Sequence, residues 1–311
     1  MCGIAGIIHR NGSSPIGDEM TSMLQAMKHR GPDSTGFALY GAPTAEWIMR
    51  VKLADANTER DFDFDERLAR NRDQVQRRLH AMGARFEGVE ELNPTTFDVR
   101  IAYDGDDLKG LVDQVEDVSR DAEVLSLGHS LEIVKDLGDA QTVSAAYHLD
   151  RFQGTHAIGH ARMATESDVD ISNAHPYWAY PFSDVAVVHN GQLTNYHGWR
   201  RRLERNGHRF QSECDSEIIA VYLAERMAQG DSLEDSMRRS LSELDGVFTY
   251  ICVTEDALGM AKDELAAKPL VLYESDEVVV LASEEIAIRR VIPREIDTYD
   301  PFEGEVMVWT R

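Results

Sequence analysis

Apolar and polar positions change period several times along this chain, and each change predicts an element. The opening GIAGIIHR (3–10) is a short apolar run that fits a buried strand. Met20, Met23, Leu24 and Met27 then recur at helical spacing, which predicts a helix over 17–29. HRGPDSTG (29–36) is dense in turn formers, and FALYG and AEWIMRVK after it read as two strands of a hairpin.

From 53 to 150 the texture changes. A long charged helix is predicted over 64–82, a hairpin over 84–103 about Asn93-Pro94, and a helix near 106–119. A strand near 122–134 and a short helix near 141–149 complete an α-β-β-α-β order, which predicts a small α+β subdomain over 53–150, inserted in a domain that spans 1–311. Strand-like texture returns at 154 with GTHAIGHARMAT, and DVAVVHNG (184–191) is a second strong strand ending in a turn. Residues 194–206 and 215–229 read as helices, the second opening at Asp215-Ser216-Glu217. GVFTYICVT, PLVLYE, EVVVLAS and EVMVWT are strands. The class is therefore α+β with mostly antiparallel strands, and the chain shows neither a Gly-rich nucleotide loop nor a repeat.

Charge narrows the partners. With 32 basic against 55 acidic residues the net charge is −23, which argues against nucleic acid and anionic membranes as ligands. No stretch approaches the ~18 apolar residues of a membrane helix, and MCGIAGII lacks the basic flank and cleavage site of a secretory signal. Three cysteines without a CxxC pair do not form a disulfide framework, so a reducing cytoplasm is expected. Cys252 reads as a buried strand residue, and Cys214, beside Asp215, as structural.

Cys2 differs from the other two by position. Methionine before a small residue is the usual substrate for co-translational removal, which would leave Cys2 with a thiol and a free α-amine. Such an amine titrates near ~7.7–8.0 and can serve as base for its own thiol, directly or through one water. No histidine base is then needed. His156 and His160 have metal spacing for a helix, but their segment reads as a strand, so no metal is expected; His175 and His189 are given structural roles.

MCGIAGI, HRGPDSTG, GHARMAT, NAHP, HNGQLTNY and SECDSE follow one another in that order. Together they resemble the class II (N-terminal-nucleophile) glutamine amidotransferase family over residues 1–50 and 154–311. The resemblance implies a four-layer αββα sandwich with the nucleophile at the start of a strand, and L-glutamine as substrate. It implies that Cys2 is the nucleophile and that Asn190 and Gly191 form the oxyanion hole. Arg162 would pair with the glutamine α-carboxylate, Asp215 would hold the α-ammonium, and Thr165 would help hold the substrate. Met163 stands where many members carry an aromatic residue, Glu166 and Ser167 replace a histidine and a glycine, and Ala266-Ala267 fall where a glycine is frequent. These differences bear on loop closure and acceptor-dependent activation more than on hydrolysis.

EGEVMVWTR resembles the final strand of a glutaminase domain, so this chain is expected to lack an acceptor site of its own. The resemblance then points to a stand-alone glutaminase-type subunit of a glutamate-synthase-like complex, with N-methylglutamate synthase named first. This chain would carry no cofactor; FMN and an iron–sulfur cluster are expected only on the partner subunits. Two other readings stand beside it: a catalytically silent regulatory or assembly subunit, and a glutamine-dependent amide-transfer subunit of another biosynthetic pathway. The inserted segment is expected to help dock the partner.

Overall fold

The apolar run at the N-terminus is continuous because its strand is covered on both faces. Ile4 and Ile8 enter a core between two sheets, while Ala5 and Ile7 face helices. The computed structural model describes residues 2–54, 63–163 and 174–311. Its strands are β1 (Gly3–His9), β2 (Ser34–Tyr40), β3 (Trp47–Lys52), β4 (Arg85–Glu91), β5 (Thr96–Ala102), β6 (Glu123–Gly128), β7 (Leu131–Leu137) and β8 (His156–Arg162). They continue with β9 (Tyr177–Trp178), β10 (Ala186–Leu193), β11 (Gly246–Val253), β12 (Ala257–Lys262), β13 (Val271–Glu274), β14 (Val278–Ala282) and β15 (Val306–Thr310). The helices are α1 (Ile16–Ala26), α2 (Phe64–Ala81), α3 (Leu108–Glu116), α4 (Ala140–Ala146), α5 (Tyr196–Arg205), α6 (Asp215–Ala228), α7 (Leu233–Glu243) and α8 (Glu285–Val291).

A six-stranded sheet, β13-β14-β1-β8-β2-β7, lies against a five-stranded sheet, β15-β12-β11-β10-β9. Ile4, Ile8, Ala38 and Ile158 of the first meet Val188, Ile251, Leu258 and Met260 of the second. Helices α1, α4 and α8 cover the outer face of the first sheet, where Met20, Met23, Leu24 and Val143 pack on Phe37, Leu39 and Val134. Helices α6 and α7 cover the second. The result is the expected α+β, four-layer αββα arrangement. Among the described residues no helix is long and apolar enough to cross a membrane.

A third sheet, β4-β5-β3-β6, packs with α2 and α3. Two expectations are corrected here. FALYG and AEWIMRVK do not form a hairpin: β2 pairs with β7 and β8, whereas β3 pairs with β5 and β6 in the third sheet. The apolar run over 122–134 is two strands in two sheets. The Asp184 carboxylate explains the break, accepting the backbone N–H groups of His129, Ser130 and Leu131 at 2.8, 3.0 and 3.0 Å and turning the chain sharply between β6 and β7. The segment 53–150 is accordingly divided. Strand β3, just before it, lies inside the third sheet, while β7 and α4 at its end belong to the sandwich. Alternation shows that a segment is a strand but not which strand it pairs with. Helices α7 and α8 and strand β12 are elements that the reading of the pattern leaves out.

The junction between the third sheet and β7 carries ion pairs beside its apolar contacts. Arg50, on β3, forms a fork with Asp98 at 2.7 and 2.6 Å and donates to the Ile133 carbonyl at 3.2 Å. Nearby, Glu123 lies between Lys52 at 2.8 Å and Lys135 at 3.2 Å. Burial opposes its charge, yet the two lysines hold its carboxyl down at about 2.

Candidate active site

The sandwich opens at the end where β1 begins, β8 ends and β10 runs into α5. A cavity of about 560 Å³ there is lined by Cys2, Arg162, Asn190, Gly191 and Asp215 together with Met163, the histidines 160, 175 and 189, and Cys214. Five of the six residues singled out in the sequence are thus gathered in one place. The sixth, Thr165, lies outside the described residues, as do Glu166 and Ser167.

Cys2 precedes the first residue of β1, so the register of that strand fixes it. Gly3 pairs with Ala161, which puts the thiol beside the end of β8. There the backbone N–H of Met163 points at Cys2 Sγ at 3.5 Å, a donor suited to a thiolate. The Cys2 carbonyl accepts from Asn190 Nδ2 at 3.1 Å and from Arg30 Nε at 3.1 Å. Arg30 is pinned in turn by Glu284 at 2.6 Å. Arg30 carries no role in the sequence reading, although its place inside HRGPDSTG marks the segment. Next to it, Gly31 is needed for close approach, because a Cβ there would lie 2.5 Å from the Ala161 carbonyl oxygen.

Asn190 and Gly191 sit on β10 opposite Thr249 and Phe248. Gly191 adopts φ 137°, and a Cβ would fall 2.0 Å from the Val247 carbonyl oxygen, so only glycine fits. Arg162 ends β8 and is 8% exposed, its side chain lining the cavity. Across the cavity Asp215 opens α6, where the helix N-terminus favours a carboxylate. One of its oxygens accepts the Leu193 N–H at 2.7 Å.

The floor holds three histidines. The His160 and His175 rings stack at 4.1 Å, and His189 Nδ1 is 2.7 Å from Ser216 Oγ. Burial pushes His160 down to about 3 and holds His175 and His189 below the usual imidazole range. They are therefore neutral at physiological pH. Cys214 lines the same cavity, and burial with the adjacent Asp215 raises its thiol above the ordinary range. Chemically, the cavity offers a thiol, a guanidinium, a carboxylate and amide donors, groups complementary to an α-amino acid with a side-chain amide.

Comparison with other proteins agrees with that chemistry. A family model described as a glutamine amidotransferase domain matches residues 160–290. A protein of Methanothermobacter thermautotrophicus, whose name assigns it provisionally to the glutamine amidotransferases, is 38% identical over 99% of this chain and 99% of its own. The glutamine amidotransferase-like protein GlxB of Rhizobium meliloti is 35% identical over 93% of this chain and 91% of its own. Among solved structures, the glutamine phosphoribosylpyrophosphate amidotransferase of B. subtilis superposes with a TM-score of 0.61 at 19% identity, over 99% of this chain and 47% of that longer one, a likeness of fold. The chain belongs to the glutamine amidotransferase family.

Proposed function

We propose that this chain is a glutaminase-type subunit that releases ammonia from L-glutamine through a Cys2 thioester and passes it to a partner subunit of a glutamate-synthase-like complex, with N-methylglutamate synthase the first candidate. The observation that carries this reading is the convergence of Cys2, Arg162, Asn190, Gly191 and Asp215 on one cavity. Removal of Met1 frees the Cys2 amine, which takes the thiol proton as sulfur attacks the amide carbon. The carbonyl oxygen becomes an oxyanion facing Asn190 Nδ2 and the Gly191 N–H. When the tetrahedral species collapses, the C–N bond breaks and the proton leaves with nitrogen as ammonia. Water then cleaves the thioester, giving glutamate and restoring the thiol. Arg162 and Asp215 bind the α-carboxylate and α-ammonium, and Thr165 adds a substrate contact.

In this reading the chain carries no cofactor, and FMN and the iron–sulfur cluster reside on the partners. Three free cysteines suit a cytoplasmic setting. The test is twofold. Natively produced protein should have the mass of a chain starting at Cys2, and Cys2→Ala should lose glutamine-dependent ammonia release while its melting curve stays near wild type. Undiminished release by that variant removes the thioester. Retained Met1 with no release identifies a silent subunit instead. Purification from the native source should bring down flavin- and iron–sulfur-containing subunits if the partner assignment holds.

A further inference from the structure

The segment that delivers Asp215 to the cavity is held from two sides. On the inner side Glu217, 1% exposed in the first turn of α6, accepts the N–H of Gln211 at 2.8 Å, the N–H of Ser212 at 2.9 Å and Ser212 Oγ at 2.7 Å. Ser212 Oγ also accepts the Cys214 N–H at 3.1 Å. On the outer side the grip comes from α3, which packs with the third sheet. Gln211 Nε2 donates to Glu116 Oε1 at 2.6 Å, and that oxygen also accepts the Val124 N–H at 3.0 Å. Arg209 donates to Asp113 at 3.0 Å and to the other oxygen of Glu116, and its guanidinium lies 4.3 Å from the centre of the Tyr180 ring.

The outer grip borders open space. Lys52, Glu116, Arg209, Phe210 and Gln211 line an open cavity of about 670 Å³ between α3, β6 and the segment. Phe210 and Cys214 pack on the apolar core beneath α6, while Arg209 and Gln211 are tied to α3 by charge-assisted bonds, which are the strong ones.

We propose that Glu116 is a positioning residue for glutamine: through Gln211 and Arg209 it sets where Asp215 stands in the site. This rests on Asp215 being the partner of the glutamine α-ammonium. The third sheet and α3 then act on substrate affinity from outside the sandwich.

Glutamine kinetics of Glu116→Ala, Asp215→Ala and the double variant, each checked by thermal melting, test the idea. Glu116→Ala should raise KM about threefold to tenfold, the effect of one or two lost hydrogen bonds, with kcat within about twofold. Glu116→Gln, whose amide oxygen still accepts from Gln211 and Val124, should restore most of the affinity and serves as the folded comparison, read against Arg209→Ala, if the alanine variant is unstable. In the Asp215→Ala background the Glu116→Ala effect on KM should vanish. A KM unchanged in Glu116→Ala, or an effect of full size in that background, overturns the proposal. If Glu116→Ala raises KM while Asp215→Ala does not, the assignment of Asp215 is at fault and the clamp acts on another group.

Discussion

The Asn190 side-chain amide donates to the Cys2 carbonyl at 3.1 Å, so the candidate oxyanion donor and the candidate nucleophile are fixed to each other before substrate arrives. Preorganisation of this kind is what makes a donor effective where charge develops. Asn190→Ala should lower kcat by about 10²–10³, the usual loss for one such donor. Asp215→Ala should act mainly on KM. Steady-state kinetics with glutamine separate the two, and identical profiles with KM untouched in both would refute the role assignments.

Gly191→Ala tests the backbone instead of a side chain. The added Cβ would sit 2.0 Å from the Val247 carbonyl oxygen at a φ of 137°, so the β10–β11 ladder has to open at the site. We expect a loss of about 2–4 kcal/mol in denaturant unfolding, and a drop in kcat in the fraction that folds. Wild-type stability in that variant would contradict the described backbone.

Acid should destabilise the protein earlier than carboxylates alone would. His156 and His160 are pushed down to about 4 and about 3, chiefly by burial, and His175 and His189 are lowered too. An unfolded histidine titrates near ~6.5. Below that value the unfolded chain binds protons that the folded chain refuses, so this stability is whole above pH ~6.5 and is lost as pH falls through the folded values. Glu132, raised to about 7 chiefly by burial with Asp98 adding to the shift, works in the opposite sense, as do Glu116 and Glu217, which burial also raises, so four histidines stand against three carboxyls. Melting temperatures should therefore fall between pH 7 and pH 5; a flat profile there would refute neutral burial of the histidines.

Asp98→Ala should be among the most damaging changes outside the site. It leaves Arg50, 2% exposed, without its fork partner, and a broken buried pair costs about 3–5 kcal/mol. Urea unfolding measures this directly, and a cost under about 1 kcal/mol would mean that Glu132 and water suffice for the guanidinium.

The candidate site residues are nameable from the ordered motifs that carry the family resemblance, and five of them line one cavity. Cys2 before an apolar strand and Asp215 opening a helix follow from local pattern; Asn190 and Gly191 lie inside β10 and not in a turn at its end, and the candidate roles of all four come from the family resemblance. Arg30 was not legible as a site residue, since its contact with the Cys2 carbonyl depends on a pairing of distant segments. The hairpin expected of FALYG (37–41) and AEWIMRVK (45–52) does not form for a related reason. Tyr40 and Trp47 lie seven positions apart, a separation that favours local pairing, but the partners of β2 and β3 come from residues far along the chain. Residues 122–134 looked like one strand because the turn is made by a carboxylate, Asp184, that lies more than fifty positions away.

That turn has a topological consequence. Tyr40 and Leu131 are register partners, and the Gly41 N–H donates to the Ser130 carbonyl at 3.1 Å. For the six-stranded sheet, everything from 42 to 129 is therefore the loop of a single β-hairpin, long enough to carry a sheet of its own whose apolar side chains run on into the core of the sandwich. Closing a flexible loop costs entropy only logarithmically in its length, and a loop that folds against its own ends gives much of that back. The excursion is also tied back to the strand that closes it, through Arg50 to the Ile133 carbonyl and Glu123 to Lys135, so a change in its length or packing reaches β7.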